Sequence, residues 1–394
     1  MSQRPLLSLC MIAKNERLWL PRSLASAASW VDEIIVVDTG SSDETRDLAR
    51  QHGAKVFEHP WQGDFALARN QSMDHASGRW LLILDADELV SADSGPRLRP
   101  ALRAADGDCL LVRIEHLALD GSASWQLTPR LVRADSGLRF VGRIHEALAG
   151  GGRALAAPLT LIHHGFAQSP QITAQKARRN LELIQRWVDE APADFSARAY
   201  LAQSLMAGAG DANQTLAAAR QALAVGQAGG VAKEQLTRAY HPLMMALTTL
   251  GRLDELIETA NQCLTLLPDY PDPLYSLCWA FFQMKRWSSV CRHGRRFMES
   301  QDRWRAMPQA YPFPHNLSAG RAPEVLAHWC VAAARLGRHG EATEVLGRLL
   351  GEERAEAMAR WLFGRLAEDD PAGAGPVLMR LATRARPEWR WLTP

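Results

Sequence analysis

Apolar positions in the first 166 residues fall into short unbroken runs separated by polar turns and by segments where they recur every three or four residues. The runs over 6–12, 33–38 and 80–84 are nearly all apolar, as strands are when helices cover both faces of a parallel sheet. A shorter run lies at 55–58. Helical spacing over 16–29, 45–52 and 65–75 places helices between these strands, which is an α/β signature. After Glu88 the strand candidates are shorter, at 109–116, 130–133 and 159–163, and turns containing Gly and Pro divide them. They predict a smaller, mixed part of the same sheet.

From about Ser169 the strand signals stop and Ala- and Leu-rich helical periodicity takes over. Aligning Gly251-Arg252-Leu253 with Lys285-Arg286-Trp287 gives an offset of 34 residues, and Ala246 falls on Ala280 at the same offset. That is the period of a tetratricopeptide helix pair. Leu336-Gly337-Arg338 repeats the Leu-Gly-Arg of 250–252 after an irregular insert containing Tyr311-Pro312-Phe313-Pro314. One helix pair cannot bury its own apolar face, so such units stack and form a concave surface. The expected organisation is an α/β domain over 1–167 followed by an all-α, tetratricopeptide-like repeat domain over 168–394.

Composition agrees with two folded domains: 394 residues, 47% hydrophobic and 22% charged. The 45 Lys and Arg against 43 Asp and Glu leave a net charge of +2, which offers no bulk electrostatic case for nucleic acid or an anionic membrane. No apolar run approaches the roughly 18–20 residues of a membrane span. The N-terminus, Met1-Ser2-Gln3-Arg4-Pro5, leads into a strand without a cleavage site, so the expected compartment is cytoplasmic. The six cysteines lie far apart with no C-x-x-C pair and are expected to be reduced, mostly buried thiols. Trp187, Trp279, Trp287 and Trp304, at helical spacings, are expected in the core ahead of any stacking role.

Acidic residues gather at the C-terminal ends of predicted strands: Asp38 after Val37, and Asp85-Ala86-Asp87-Glu88 after Leu84. In open α/β sheets ligands bind at that edge. An Asp ending an early strand is placed to accept hydrogen bonds from a nucleotide's base or ribose, and the turn from Asp38 to Asp43 supplies small residues and a helix cap. Three acids within four residues repel one another unless a cation or hydrogen-bond donors compensate. Hard oxygen ligands separated by one small residue suit Mg²⁺ or Mn²⁺, which keep positions open for phosphate oxygens. Arg69, on the preceding helix, offers a planar cationic fork.

Met11-Ile12-Ala13-Lys14-Asn15-Glu16, the run from Val31 through Asp38-Thr39-Gly40-Ser41-Ser42-Asp43, Trp61 with Asp64-Phe65-Ala66 and Ala68-Arg69-Asn70, and Trp80 through Glu88 together resemble the family 2 glycosyltransferases. The nearest branch joins a compact transferase domain to tetratricopeptide repeats and includes peptide S-glycosyltransferases of the sublancin type. The resemblance is strong over 6–90 and looser through Thr128–Arg133, Gly142–Glu146 and Ile162–Phe166. It implies a GT-A fold with a Rossmann-like mixed sheet, a UDP-sugar donor and inversion at the anomeric carbon. The donor-binding set it implies is Ala13, Lys14, Glu16, Asp38, Asp43, Arg69 and Asp85. Asp85 and Asp87 would form a D-x-D pair for Mg²⁺ or Mn²⁺, with Asp87 the direct ligand, and His163 or the adjacent His164 would complete the metal shell.

An inverting transfer needs a carboxylate, separate from the metal pair, to take the acceptor's proton. Glu146 is the candidate base, His145 its orienting partner, and Glu88 the runner-up. The leading expectation is therefore a metal-dependent hexosyltransferase whose acceptor, a peptide or protein recruited by the repeats or a glycan precursor, the sequence leaves open. The alternative is a repeat scaffold carrying an inactive transferase-like domain. A nucleotidyltransferase is disfavoured, because residues 9–16 lack a Gly-rich basic phosphate loop. Packing of repeats between chains into a homodimer is neither supported nor excluded.

Overall fold

A computed structural model describes residues 4–117, 123–163, 170–306, 317–352 and 355–369. His164, Gly165, Phe166 and the insert at 311–314 lie outside these residues. The chain separates into two compact units, 1–187 and 188–394.

The first unit runs β1 (Leu7–Ala13), α1 (Leu20–Ala27), β2 (Glu33–Asp38), α2 (Thr45–Gln51), β3 (Lys55–Glu58), α3 (Phe65–Asp74), β4 (Trp80–Ile83), β5 (Glu88–Val90), α4 (Gly95–Ala104), β6 (Cys109–Leu117), β7 (Ala123–Arg133), β8 (Arg139–Val141), β9 (Ala147–Ala149) and β10 (Ala154–His163). Helix α5 (Pro170–Glu190) carries the chain out of it. The main sheet has eight strands in the order β3-β2-β1-β4-β7-β6-β10-β5, and β8 pairs with β9 in a separate ribbon. The four strands foreseen first are its parallel half, with β1 central between β2 and β4. The other half is mixed: β7 runs antiparallel to β4 and β6, while β10 is parallel to β6 and antiparallel to β5.

Register decides what meets at the ligand edge. Ala13 lies beside Asp38, and Asp38 beside Glu58, so β1, β2 and β3 end together. His163, the last residue of β10, pairs with Glu88, the first of β5. An offset of some 75 residues is thus closed by one strand pairing. Between β6 and β7, Leu110 faces Leu131 but Leu111 faces Pro129, which leaves Arg130 as the extra residue of a β-bulge. Bulges re-aim a side chain and often flank functional sites.

Strands β5, β8 and β9, helix α4 and the start of helix α1 were not foreseen from the sequence. Helix α1 begins at Leu20 rather than residue 16: after the left-handed Asn15 (φ 57°) the chain first makes a turn in which Glu16 O accepts from Trp19 N–H (3.2 Å) and Leu20 N–H (2.9 Å). Helix α4 carries Pro96 in its first turn and Pro100 inside, so its sequence reads as a turn although it folds as a helix.

The second unit is helical throughout its described residues. After α6 (Phe195–Ser204) and a π-helical turn at Leu205–Ala209 come α7 (Ala212–Ala228), α8 (Lys233–Thr249), α9 (Leu253–Leu266), α10 (Pro271–Gln283), α11 (Trp287–Ala306), α12 (Ala322–Arg335), α13 (His339–Gly351) and α14 (Ala355–Asp369). The repeated Leu-Gly-Arg is a turn with a physical job. Gly251, Lys285 and Gly337 all have φ between 55° and 69°, and each ends the first helix of a pair. In all three turns the next residue's N–H reaches back to a carbonyl five residues earlier, Arg252 to Leu247, Arg286 to Phe281 and Arg338 to Ala333. This left-handed cap satisfies the carbonyls orphaned at the helix end. Trp279, Trp287 and Trp304 pack against the helical core, and all six cysteines are buried free thiols.

One buried histidine sets a pH limit on this unit. His328 of α12 stacks on Phe282 of α10 with ring centroids 4.1 Å apart and meets Trp361 edge-on at 5.4 Å. It is 7% exposed and its Nδ1 has no partner, so burial pushes its pKa down to about 4. The unfolded chain then binds the proton first as pH falls from about 6.5 to about 4, which removes about 3 kcal/mol of stability across that window. His328→Phe keeps the stack but removes this term. Its melting temperature is expected to fall less steeply than wild type between pH 6.5 and 4, and parallel curves would refute the assignment.

Candidate active site

The site is assembled at the C-terminal edge of the parallel strands. Asp38 is 1% exposed. Its Oδ2 accepts from the backbone N–H groups of Gly40 and Ser41, each at 3.0 Å, in a turn that needs glycine because Gly40 has φ 106°. Its Oδ1 is enclosed and bonded to nothing. The loop after β1 is stitched to this turn: Asn15 N–H donates to Ser41 Oγ (2.9 Å), and Ser42 N–H donates to Asn15 Oδ1 (2.8 Å). Glu16 N–H donates to Thr45 Oγ1 at 2.8 Å, and Thr45 in turn donates to Asp43. Burial would raise the Asp43 carboxyl, but the bonds from Thr45 and the charge of Arg17 hold it below its ordinary range. The Ala13 carbonyl is taken by Thr39 N–H at 2.9 Å, while Lys14 is exposed.

Beneath this loop pair a buried chain of charges links α3, β4, β7 and the turn after β8. Arg69 donates through Nη1 to Asp85 Oδ1 (2.7 Å) and through Nε to Glu146 Oε1 (2.5 Å). Arg130 Nη2 reaches both Asp85 Oδ2 (3.0 Å) and Glu88 Oε1 (2.8 Å), and Glu88 Oε2 accepts the Asp85 N–H. The order Glu146–Arg69–Asp85–Arg130–Glu88 alternates in sign throughout. Burial would raise Asp85, yet the two guanidiniums hold it well below the usual carboxylate range. Glu88, 2% exposed, is pushed up by burial in spite of Arg130.

The local sequence places these groups. Asp64 caps α3 by accepting the Leu67 N–H, which fixes the helix that buries Arg69. Asn70 exchanges two hydrogen bonds with the Phe140 backbone (2.9 and 3.0 Å), and Phe65 N–H donates to Arg143 O. The turn from Gly142 to Glu146 is thereby held against α3. His145 within it has φ 53°, a left-handed conformation uncommon for a side-chain residue.

Asp87 is placed differently from Asp85. Its Oδ1 lies 3.6 Å from His163 Nε2 and its Oδ2 3.8 Å from Lys176 Nζ, both longer than a good hydrogen bond. Burial would lower His163, but Asp87 outweighs it and holds the imidazole above its ordinary pKa. Glu16 faces the same space, pushed up to about 7 by burial and by the charge of Asp87. Among the described residues no three metal-ligating side chains are already drawn together.

The candidate residues therefore separate by circumstance. Asp87 and His163 meet, with His163 Nε2 3.6 Å from Asp87 Oδ1. Asp85 meets Asp87 only through the strand end, with both its oxygens on arginines. Arg69 spends its fork inside the protein rather than toward the edge. The sequence assigns no role to Arg130, although Pro129 inside a strand signals irregular pairing at that point. By its period Lys176 falls with the repeats.

A family model described as Glycosyl transferase family 2 matches residues 8–147. That match takes in β1 through the start of β9, about a third of the chain. A TPR repeat-containing protein of Synechococcus elongatus is 34% identical over 209 residues, which is 50% of this chain and 51% of that protein. The glycosyltransferase SunS of the Bacillus subtilis SPbeta prophage is 27% identical over 47% of this chain and 45% of its own. The chain thus spans about half the length of these curated relatives. Among solved structures, glucosyl-3-phosphoglycerate synthase of Mycobacterium tuberculosis with Mn²⁺ and UDP is 25% identical over 28% of this chain and 44% of that one, with a TM-score of 0.24. The TarS 1–349 fragment of S. aureus with UDP-GlcNAc is 13% identical over 64% and 89%, with a TM-score of 0.40. The matched residues end at the start of β9, so His163 and Lys176 lie beyond them. No helix among the described residues is long and apolar enough to cross a membrane.

Proposed function

We propose that this protein is an inverting, metal-dependent glycosyltransferase that moves a hexosyl group from a UDP-sugar to an acceptor, either a peptide or protein recruited by its helical repeats or a glycan precursor. The observation that carries this reading is the unpartnered Oδ1 of Asp38. A buried acceptor left unbonded costs about 1–3 kcal/mol, and the imide N–H of uracil or a ribose hydroxyl would satisfy it. Asp38 stands at the sheet edge inside the family domain, where a nucleotide is expected. The 394-residue chain with UDP and Mn²⁺ is therefore expected to melt several degrees higher than without them, by mass action on the folded state. Asp38→Asn should lose most of that shift, and no shift in wild type with UDP would overturn the reading.

Asp87 and His163 fit a divalent cation that keeps its remaining positions for diphosphate oxygens and water, which suits Mg²⁺ or Mn²⁺. Such an ion would neutralise the charge developing on the leaving diphosphate. Asp85 serves instead as the anionic anchor between Arg69 and Arg130. Glu146 is the base: Arg69 holds one of its oxygens and fixes the carboxylate's orientation, while the other oxygen accepts the proton of the acceptor nucleophile. Glu88 has both oxygens bonded within the protein and is confined to a structural role.

Glu146→Gln is expected to bind UDP with unchanged affinity by calorimetry and to lose transfer by about 10²–10⁴-fold, the usual range for a general base. Undiminished turnover would move the role to another residue.

A further inference from the structure

Helix α5 lies beyond the matched domain, yet one of its faces is built onto the active-site unit. Lys176, Arg179, Leu183 and Trp187 follow one another at three- and four-residue steps and so share a helix face. The Arg179 guanidinium sits 5.2 Å from the centroid of the Phe65 ring. A Cβ on Gly63 would lie 3.4 Å from Leu183, and one on Gly142 3.8 Å from Trp187. These three contacts seat α5 on the two loops that flank α3 and Glu146. They bring Lys176, the next position on that face, to 3.8 Å from Asp87.

The charge pattern around this ammonium is unusual. Lys176 faces Asp87 and Glu16, with Asp85 also acting on Glu16, and its own side chain is 37% exposed. A divalent cation on Asp87 would repel an ammonium this close unless an anion lay between them or beside both. A diphosphate is such an anion, and a lysine used as a point charge beside a metal ion is a general solution for binding one. We propose that Lys176 of α5 binds the diphosphate of the nucleotide-sugar donor, so that a helix outside the family domain completes the donor site. This rests on the UDP-sugar reading above.

The test titrates the full chain by calorimetry with UDP at saturating Mn²⁺, with UMP at saturating Mn²⁺, and with Mn²⁺ alone, in wild type, Lys176→Ala and Lys176→Arg. Lys176→Ala is expected to weaken UDP by about 10- to 100-fold, the worth of a charge-assisted hydrogen bond, while UMP changes less than about twofold. Mn²⁺ alone should bind the variant as tightly as wild type or more tightly, because a repelling charge has gone. Lys176→Arg should recover most of the UDP affinity. Lys176→Met, which keeps the aliphatic stem, is the second variant should the alanine protein fail to fold. Equal weakening of UDP and UMP, or weaker binding of Mn²⁺ alone, would assign Lys176 to packing and overturn the proposal. So would unchanged UDP affinity in the alanine variant. A wild type that binds no UDP removes the UDP-sugar reading itself, a result distinct from any of these.

Discussion

Asp87→Asn is expected to abolish sugar transfer and donor hydrolysis together, by about 10³-fold or more, while leaving the melting temperature of the ligand-free protein near that of wild type. The size follows from removing a charged ligand beside the developing negative charge of a leaving group, where one such interaction contributes about 4 kcal/mol to the barrier. The fold should survive because Asp87 is outside the buried ion chain: its neighbours stand at 3.6 and 3.8 Å, and no arginine among the described residues depends on it. The same variant should lose the extra thermal shift that Mn²⁺ adds to UDP. Wild-type transfer or hydrolysis rates in this variant would remove the metal site from the mechanism.

Arg130→Met is expected to be the most damaging single change to stability. The guanidinium Nη2 is shared by Asp85 and Glu88, one carboxylate on either side of it, and all three groups are largely buried. Deleting one partner of a buried ion pair leaves an uncompensated charge and costs about 3–5 kcal/mol. For a unit of this size that is a fall in melting temperature of about 10 °C. Glu88→Gln in the same chain should recover part of the loss, since it removes the carboxylate left without a cation while Asp85 keeps Arg69, and the two sites are in contact so their effects will not add.

The pH dependence has a definite sign. Glu88 has its pKa raised by burial, so the folded state binds its proton more readily than the unfolded chain, and stability falls as pH rises above the unfolded carboxyl range of about 4.5. The Arg130→Met penalty should therefore be smaller at pH 5 than at pH 8. A penalty within about 1 kcal/mol of wild type at both pH values would show that the ion chain does not hold the site together.

Both expectations turn on Asp85 and Asp87, which the strand-end pattern presents as one acidic pair. Their spacing predicts that an acidic pair ends an apolar strand, and the strand is there. What separates them is the company each keeps. Asp85 lies between arginines from α3 and a bulge in β7, while Asp87 lies between a histidine ending β10 and a lysine from α5. Glu146 is a comparable case: the motif around it was readable, but its bond to Arg69 depends on Asn70 tying α3 to β8.

By itself the sequence determined whatever is encoded in local period and turn chemistry. Continuous apolar runs made the parallel strands β1, β2 and β4, with acids at their C-terminal ends. Left-handed residues spaced along an Ala- and Leu-rich tract made the helix pairs of the second unit. Asp38, Asp87 and Arg69 could be named from those patterns. Only the tertiary structure decided which partner each charge found, because residues 69, 85, 130 and 146 meet through the order β4-β7 in the sheet, and 87, 163 and 176 through the pairing of β10 with β5 and the seating of α5. Such pairings depend on long-range register and on a single-residue bulge. A charged residue's sequence neighbours do not reveal whether its charge will be spent inside the protein or kept for a ligand.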